Sequence, residues 1–490
     1  MGSEWKTSSL KELSVQLIDC DHKTPKAVEN GIPYIGIPQM DNGRIDFDAK
    51  PRLISEEDFV KWTKKANPTY GDIILSRRCN SGETVYVPKG AKFALGQNLV
   101  LLRPTGDRIY PEFLRWAVHG REWWNEVAKY LNPGAIFESL KCADIPKFKI
   151  KEPPKDEQIK IANILSSIAD KIELNRQTNQ TLEHMAQAIF KSWFVDFEPT
   201  RAKIAAKEEW AKRSMTAKAG ASDDHIKASQ AEAIFVERAA MAAISGRATD
   251  STNDSDAGAL AGLDQLNPEQ IQQLKTTAAL FPDALVDSEL GEIPLGWEVK
   301  LNGDVMDVRD GTHDSPKQSE VGFPLVTSKH ITSGVLDIKS AYLISKEDYE
   351  SVNKRSKVNQ GDILLTMIGT VGMSYLVMQS DVNFAIKNVA LFRTSEHKEL
   401  KNYFYLLLKS PLMKEYLDAR MAGTTQKYLS LKTLRSIDML MPTAALLDAF
   451  NNITNPLLDK VFAALEENEY LSSIRGSLLP KLLAGELKAT

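Results

Sequence analysis

The side chains of this sequence best suited to chemistry are polar groups in short loops that follow apolar runs, and their chemistry is recognition rather than bond making. In the first module they are Lys23, Lys26, Gln39, Arg77, Arg78, Asn80, Gln97 and Asn98. In the second, His313, Lys317, Lys329, His330, Lys387 and Asn388 occupy similar loops, and Gly423-Thr424-Thr425-Gln426-Lys427 is a later polar loop that adds Lys427. Arginine, lysine, asparagine and glutamine can match the donor and acceptor edges of bases, and the basic ones can equally hold phosphates. Arg77-Arg78, directly after a predicted strand, is the foremost pair.

Bond-making constellations are missing. There is no Asn-Pro-Pro-aromatic methylation motif, no glycine-rich loop suited to S-adenosylmethionine and no phosphate-cradling Gly-x-x-x-x-Gly-Lys sequence. Asp337-Ile338-Lys339 resembles the end of a nuclease metal site but lacks an acidic strand before it. The 7 histidines are scattered, and the 3 cysteines (Cys20, Cys79, Cys142) lack metal-ligand spacing. No catalytic residue, metal or cofactor is expected in this chain.

A repeat organises the chain around these loops. Ile54-Ser55-Glu56-Glu57-Asp58-Phe59 answers Ile344-Ser345-Lys346-Glu347-Asp348-Tyr349, and Gly71-Asp72-Ile73-Ile74-Leu75 answers Gly361-Asp362-Ile363-Leu364-Leu365, both at an offset of 290 residues. Phe93-Ala94-Leu95 and Ser139-Leu140-Lys141 answer Phe384-Ala385-Ile386 and Ser430-Leu431-Lys432 at 291. Each module reads as short apolar strands after turn signals, with Pro111 to Val118 and Asn402 to Leu408 helical, so a mixed α/β domain occurs twice.

A long amphipathic helix follows each module. Ile161, Ile168, Asn175, Leu182 and Ile189, beside Leu165, Ile172, Asn179, Ala186 and Trp193, form one seven-residue seam. Phe450, Leu457, Ala464, Leu471 and Leu478, with Thr454, Val461, Asn468, Arg475 and Leu482, form a rougher one, which Pro456 and Pro480 are expected to kink or end. Antiparallel pairing of the two, with Asn468 meeting Asn175 or Asn179, would give a pseudo-two-fold frame. At about 1.5 Å per residue each helix spans about 50 Å, more than a turn of B-DNA.

The expected divisions are 1–150, first module; 151–196, central helix; 197–296, linker; 297–440, second module; and 441–490, distal helix. Within the linker, Thr200 to Ala211 is helix-prone, Ala248 to Gly258 reads as a flexible loop, and Phe281 to Trp297 is acidic and turn-rich. The net charge of −4 and a pI near 6.1 do not advertise a nucleic-acid binder, although local basic patches can hide in such a sum. With 43% hydrophobic residues and no apolar run long enough to cross a bilayer, no membrane association is expected. Met1-Gly2-Ser3-Glu4-Trp5-Lys6 lacks the features of a secretory signal, so a cytoplasmic location is expected.

The chain resembles the specificity subunit of a type I DNA restriction-modification enzyme. The resemblance rests on the two Gly-Asp-Ile strand cores, Pro153-Pro154-Lys155-Asp156-Glu157-Gln158-Ile159 entering the first long helix, and Phe194-Val195-Asp196-Phe197-Glu198-Pro199 leaving it. Asp287 to Trp297 before the second module and Leu479-Pro480-Lys481-Leu482-Leu483-Ala484-Gly485-Glu486-Leu487 complete it. The resemblance implies two target recognition domains, each reading half of a split double-stranded DNA site, held by antiparallel helices. It also implies docking of two modification (methyltransferase) subunits and of restriction (motor and nuclease) subunits, with S-adenosylmethionine, ATP and Mg on those partners. The alternatives are a degenerate or fused DNA methyltransferase-nuclease and a coiled-coil protein adaptor.

Overall fold

The computed structural model describes residues 5–132, 138–217, 225–246, 266–332, 334–423 and 427–488. Contacts divide the chain into two compact units, 1–176 with 466–490, and 177–465. The division falls within both long helices rather than at their ends, because each helix segment packs on the module of its own unit.

In the first unit an antiparallel four-stranded sheet runs in the order Val15–Asp19, Leu99–Pro104, Ile73–Ser76, Thr84–Tyr86. Gly71 turns the chain into Ile73–Ser76 with φ of 90°, a conformation that glycine adopts without strain. Successive residues of this strand then serve opposite faces. Ile73 and Leu75 join the core formed with Phe113, Trp123 and Leu165, while Ile74 joins Val85, Phe93 and Leu101 on the other side. A smaller sheet sets Ile32–Ile35 between Arg52–Ile54 and Ala94–Leu95, the last pairing parallel. Lys6–Ser9 pairs with Lys149–Glu152, bringing the module's two ends together.

The second unit repeats this plan strand for strand: Val308–Asp310, Val389–Phe392, Ile363–Thr366, Ser374–Leu376 in one sheet, and Leu343–Ile344, Phe323–Val326, Ala385–Ile386 in the other. Even the cap recurs, since Ser55 Oγ accepts from Asp58 N and Ser345 Oγ from Asp348 N, each at 3.1 Å. The duplication seen in the sequence is therefore a duplication of architecture.

The central helix is Lys155–Phe194 and the distal helix Ala444–Ala484. Within the first unit their segments run antiparallel: Ile161 and Leu165 share a core with Leu482 and Leu483, and Asn175 Nδ2 donates to Asn468 Oδ1 at 2.9 Å. Asn468 Nδ2 in turn donates to Ile172 O at 3.4 Å, so the expected seam asparagine contact is present. In the second unit Asn179 Nδ2 donates to Val461 O at 3.2 Å. Pro456 does not end the distal helix, which continues through it, and Pro480 falls within its last turns. Pro480 thus stands near the helix end, as one of the two expected roles had it, whereas Pro456 marks no end; packing of Leu458, Val461 and Phe462 beyond Pro456 outweighs the one hydrogen bond that proline removes.

The linker is more regular than its sequence suggests. The helix-prone stretch lies in Glu198–Ala217, followed by His225–Ile244 and Pro268–Ala279. The acidic stretch folds as a hairpin of Leu285–Ser288 and Gly291–Pro294. Ala248 to Gly258 lies outside the described residues. Among the described residues no helix is long and apolar enough to cross a membrane.

Candidate nucleic-acid interface

In the first unit the loop after Ile73–Ser76 is pinned from several sides. Ser76 Oγ donates to Arg78 O at 2.9 Å, Ser81 Oγ to Arg77 O at 3.0 Å, and Leu140 N to Arg77 O at 2.9 Å. Cys79 takes a left-handed φ of 55° to make this turn. The backbone is thereby spent on itself, while the side chains of Arg78 and Asn80 stay exposed. Arg77 goes the other way: its side chain is only 12% exposed and its guanidinium lies 3.7 Å from Asp19. The pair singled out from sequence thus splits into one outward group, Arg78, and one that holds Asp19.

Lys23 and Lys26 are exposed on a neighbouring loop, fixed because Lys23 O accepts from Trp62 Nε1 at 2.8 Å. Gln97 Nε2 donates to Thr24 Oγ1 at 2.7 Å, tying a third loop to it, and Asn98 follows with φ of 67°. Asn80 also lines a cavity of about 210 Å³ with Asn42, Asp41 and Glu83. Amides and carboxylates facing one groove suit adenine edges and cytosine amino groups.

Gln39 is a correction. It is buried, its Oε1 accepts from Gly36 N at 3.0 Å and its Nε2 donates to Ala49 O at 3.0 Å, so the amide closes a turn and has no free edge. His330 is the same correction in the second unit, 291 residues on: it is 1% exposed, and its Nδ1 accepts from Thr327 N at 2.9 Å. Sequence spacing could have paired these two as structural equivalents.

The remaining candidates of the second unit cluster better. His313 is exposed and bridges Asp310 Oδ2, 3.0 Å from Nε2, and Asn388 Oδ1, 2.8 Å from Nδ1. Lys387 reaches Ser315 beside it, and Asn388 sits at φ of 53°, matching Asn98. Lys317, Lys329 and Lys427 are exposed, whereas Thr424, Thr425 and Gln426 lie outside the described residues.

One repeated element was missed. Asp19-x-x-His22 and Asp310-x-x-His313 stand 291 residues apart, and His22 Nε2 lies 3.2 Å from Asp19 as His313 does from its own aspartate. Their recurrence at the module offset was the available signal. Asp19, Cys20 and His22 also bring ligand-type atoms within 4.8 Å of one another. They fit a cation poorly: burial and the Asp19 carboxylate push the Cys20 thiol up, away from the thiolate a metal needs, and Arg77 already sits beside the carboxylate.

Behind these loops His119 packs against Trp116, ring centroids 6.4 Å apart. Burial, then the charges of Arg115 and Arg475, push it down to about 4. The imidazole is neutral in the folded unit, so its contribution is complete above the ordinary histidine range near 6.5 and is lost as pH falls from there to about 4. The loss is expected to reach about 3 kcal/mol, read by urea unfolding across that range. A His119→Gln variant that kept the full acid sensitivity would remove His119 as its source.

A family model described as the type I restriction modification DNA specificity domain matches residues 2–184 and 294–455. Among curated relatives, the type I restriction enzyme HindI specificity subunit of Haemophilus influenzae is 28% identical, covering 91% of this chain and 96% of its own. The MjaIX specificity subunit of Methanocaldococcus jannaschii is 26% identical, covering 78% and 70%. Among solved structures, the S subunit of a type I restriction-modification system from M. genitalium aligns with a TM-score of 0.48 at 14% identity, covering 98% and 96%. With both modules inside the matched stretches, the chain belongs to the type I restriction modification DNA specificity domain family.

Proposed function

We propose that this chain is the DNA-reading specificity subunit of a type I restriction-modification complex, each module reading one half of a bipartite double-stranded site. One observation carries the reading: two modules share strand order and caps but differ at the loop that follows the Gly-Asp strand, Arg77-Arg78-Cys79-Asn80 against Met367-Ile368-Gly369-Thr370. In the first loop Arg78, Cys79 and Asn80 are exposed, whereas in the second Met367 is buried, Ile368 packs on the core and Gly369 and Thr370 are the exposed pair. A common frame bearing different exposed groups suits two different half-sites. In this reading the chain is non-catalytic. Two modification subunits carry S-adenosylmethionine and methylate the DNA, restriction subunits use ATP and Mg, and the complex works in the cytoplasm.

The test uses the complex assembled with its modification subunits. Arg78→Ala with Asn80→Ala is expected to weaken discrimination at one half-site by about 10-fold to 100-fold, the worth of one or two base contacts, and to leave the other half-site unchanged. Footprinting on sites altered one half at a time reads this directly. Undiminished discrimination at both halves would sink the assignment of this loop, and absence of any split footprint from the parent complex would sink the function.

A further inference from the structure

Five arginines of the first unit end on carboxylates: Arg44 on Asp41, Arg77 on Asp19, Arg103 on Asp72, Arg108 on Glu152 and Arg176 on Glu173. Arg115 and Arg475 do not. Both are half-buried, and among the described residues neither guanidinium donates a hydrogen bond or closes an ion pair. The Arg115 guanidinium lies over Tyr86 at 4.6 Å and over Trp116 at 4.7 Å. Stacking fixes its plane but satisfies none of its five N–H donors. The Tyr86 hydroxyl beneath it is buried without a hydrogen-bond partner. Arg115, Arg475 and His119 lie within electrostatic reach of one another, and Asp170 acts on Arg115 only from a distance.

The second unit shows that the frame does not require charge here. Leu376 stands in the place of Tyr86, Leu406 in that of Arg115 and Ala186 in that of Arg475, and all three belong to one apolar core. Half-buried guanidiniums without acceptors cost free energy, so their presence in one copy alone calls for an acceptor. Planar forks match the oxygens of a phosphate. The location agrees. The hairpin of Met40–Asp41 and Arg44–Ile45 turns at Gly43, where an added Cβ would meet His119 Nε2 at 3.0 Å, and its residues Asp41 and Asn42 line the cavity that holds Asn80.

We propose that Arg115 and Arg475 form a phosphate-binding fork that grips the DNA backbone beside the half-site read by the first module. The site rests on the specificity-subunit reading, and it has no counterpart in the second module.

The experiment replaces the site with the residues of the other copy, Arg115→Leu with Arg475→Ala, in the complex with its modification subunits. Affinity is expected to fall about 10-fold by the same factor for the cognate site and for a site altered in its first half, and the slope of log affinity against log salt to shrink by about 1. Arg475→Gln alone, which leaves the aromatic stack in place, is expected to give a smaller uniform loss and serves if the double variant unfolds at lower temperature. Unchanged affinity and slope would overturn the proposal. So would a loss confined to the cognate first half-site, which marks base readers, or failure of the modification subunits to co-purify, which marks a carboxylate on a partner protein. A parent complex that protects no split site fails the functional reading instead, before any variant is made.

Discussion

Asp72→Asn is expected to cost the first unit about 3 kcal/mol, the lower end of what breaking a buried ion pair costs. Asp72 is 2% exposed and receives Arg103 in a bidentate pair, Nε to Oδ1 at 2.8 Å and a second guanidinium nitrogen to Oδ2 at 2.6 Å. Oδ2 also accepts from Thr69 N at 2.8 Å, closing the turn before the central strand. Removing the charge strands Arg103, whose 29% exposure lets water recover part of the loss. The equivalent change in the second unit should behave otherwise. Arg393 turns to Asp307 and Glu396, leaving Asp362 with the backbone N–H groups of Asn359 and Ser395. Burial raises the Asp362 carboxyl. The folded unit therefore binds that proton more tightly than the unfolded chain, and its stabilising contribution declines as pH rises through the carboxylate range. At neutral pH, Asp362→Asn is expected to lie within about 1 kcal/mol of the parent. Hydrogen exchange of the peptides covering Ile73–Ser76 and Ile363–Thr366 separates the two units, and equal losses in both would refute the contrast.

Trp193→Ala is expected to cost the second unit about 3 to 5 kcal/mol, the range for emptying a large buried aromatic site. Trp193 is 1% exposed, with Phe281 at 5.0 Å, Phe450 at 5.7 Å and Phe194 at 6.1 Å between ring centroids. These rings come from both long helices and from the end of the linker, so the cavity would loosen three segments at once. Urea unfolding followed by exchange around Phe281 and Phe450 reads the effect; a loss below about 1 kcal/mol would mean that the cluster collapses to fill the space.

Architecture was legible because it is written in short-range pattern. Gly-Asp before Ile-Ile-Leu places a turn and a doubly buried strand, and seven-residue spacing places the helix seams down to Asn175 and Asn468. The fates of individual polar side chains were not legible, because their partners are distant in sequence. Arg77 is claimed by Asp19, Gln39 by Ala49 and His313 by Asn388, pairings that depend on which loops the fold brings side by side. Loop membership correctly marked Arg78, Asn80, Lys23 and Lys317 as outward residues. It could not distinguish Gln39 and His330, which look equally polar on paper yet are locked into capping turns. The later linker helices escaped notice because an Ala-rich stretch such as His225–Ile244 carries a weak periodic signal and is fixed by packing of Ala240 and Met241 on Ala278.

The ring of Phe194, at the end of the central helix, lies 5.9 Å from that of Trp297, at the threshold of the second module. The chain thus leaves at Glu198 and re-enters after Gly296 at one place, where Lys203 Nζ also donates to Phe281 O at 2.6 Å. A tether whose two ends already touch sets no span that the rest of the chain must respect. Where flexible residues are added to it, each doubling of their number costs only about 0.6 kcal/mol in closure entropy. That makes the excursion a natural port, where a tag, a reporter or a whole foreign domain could be spliced while both modules keep their footing.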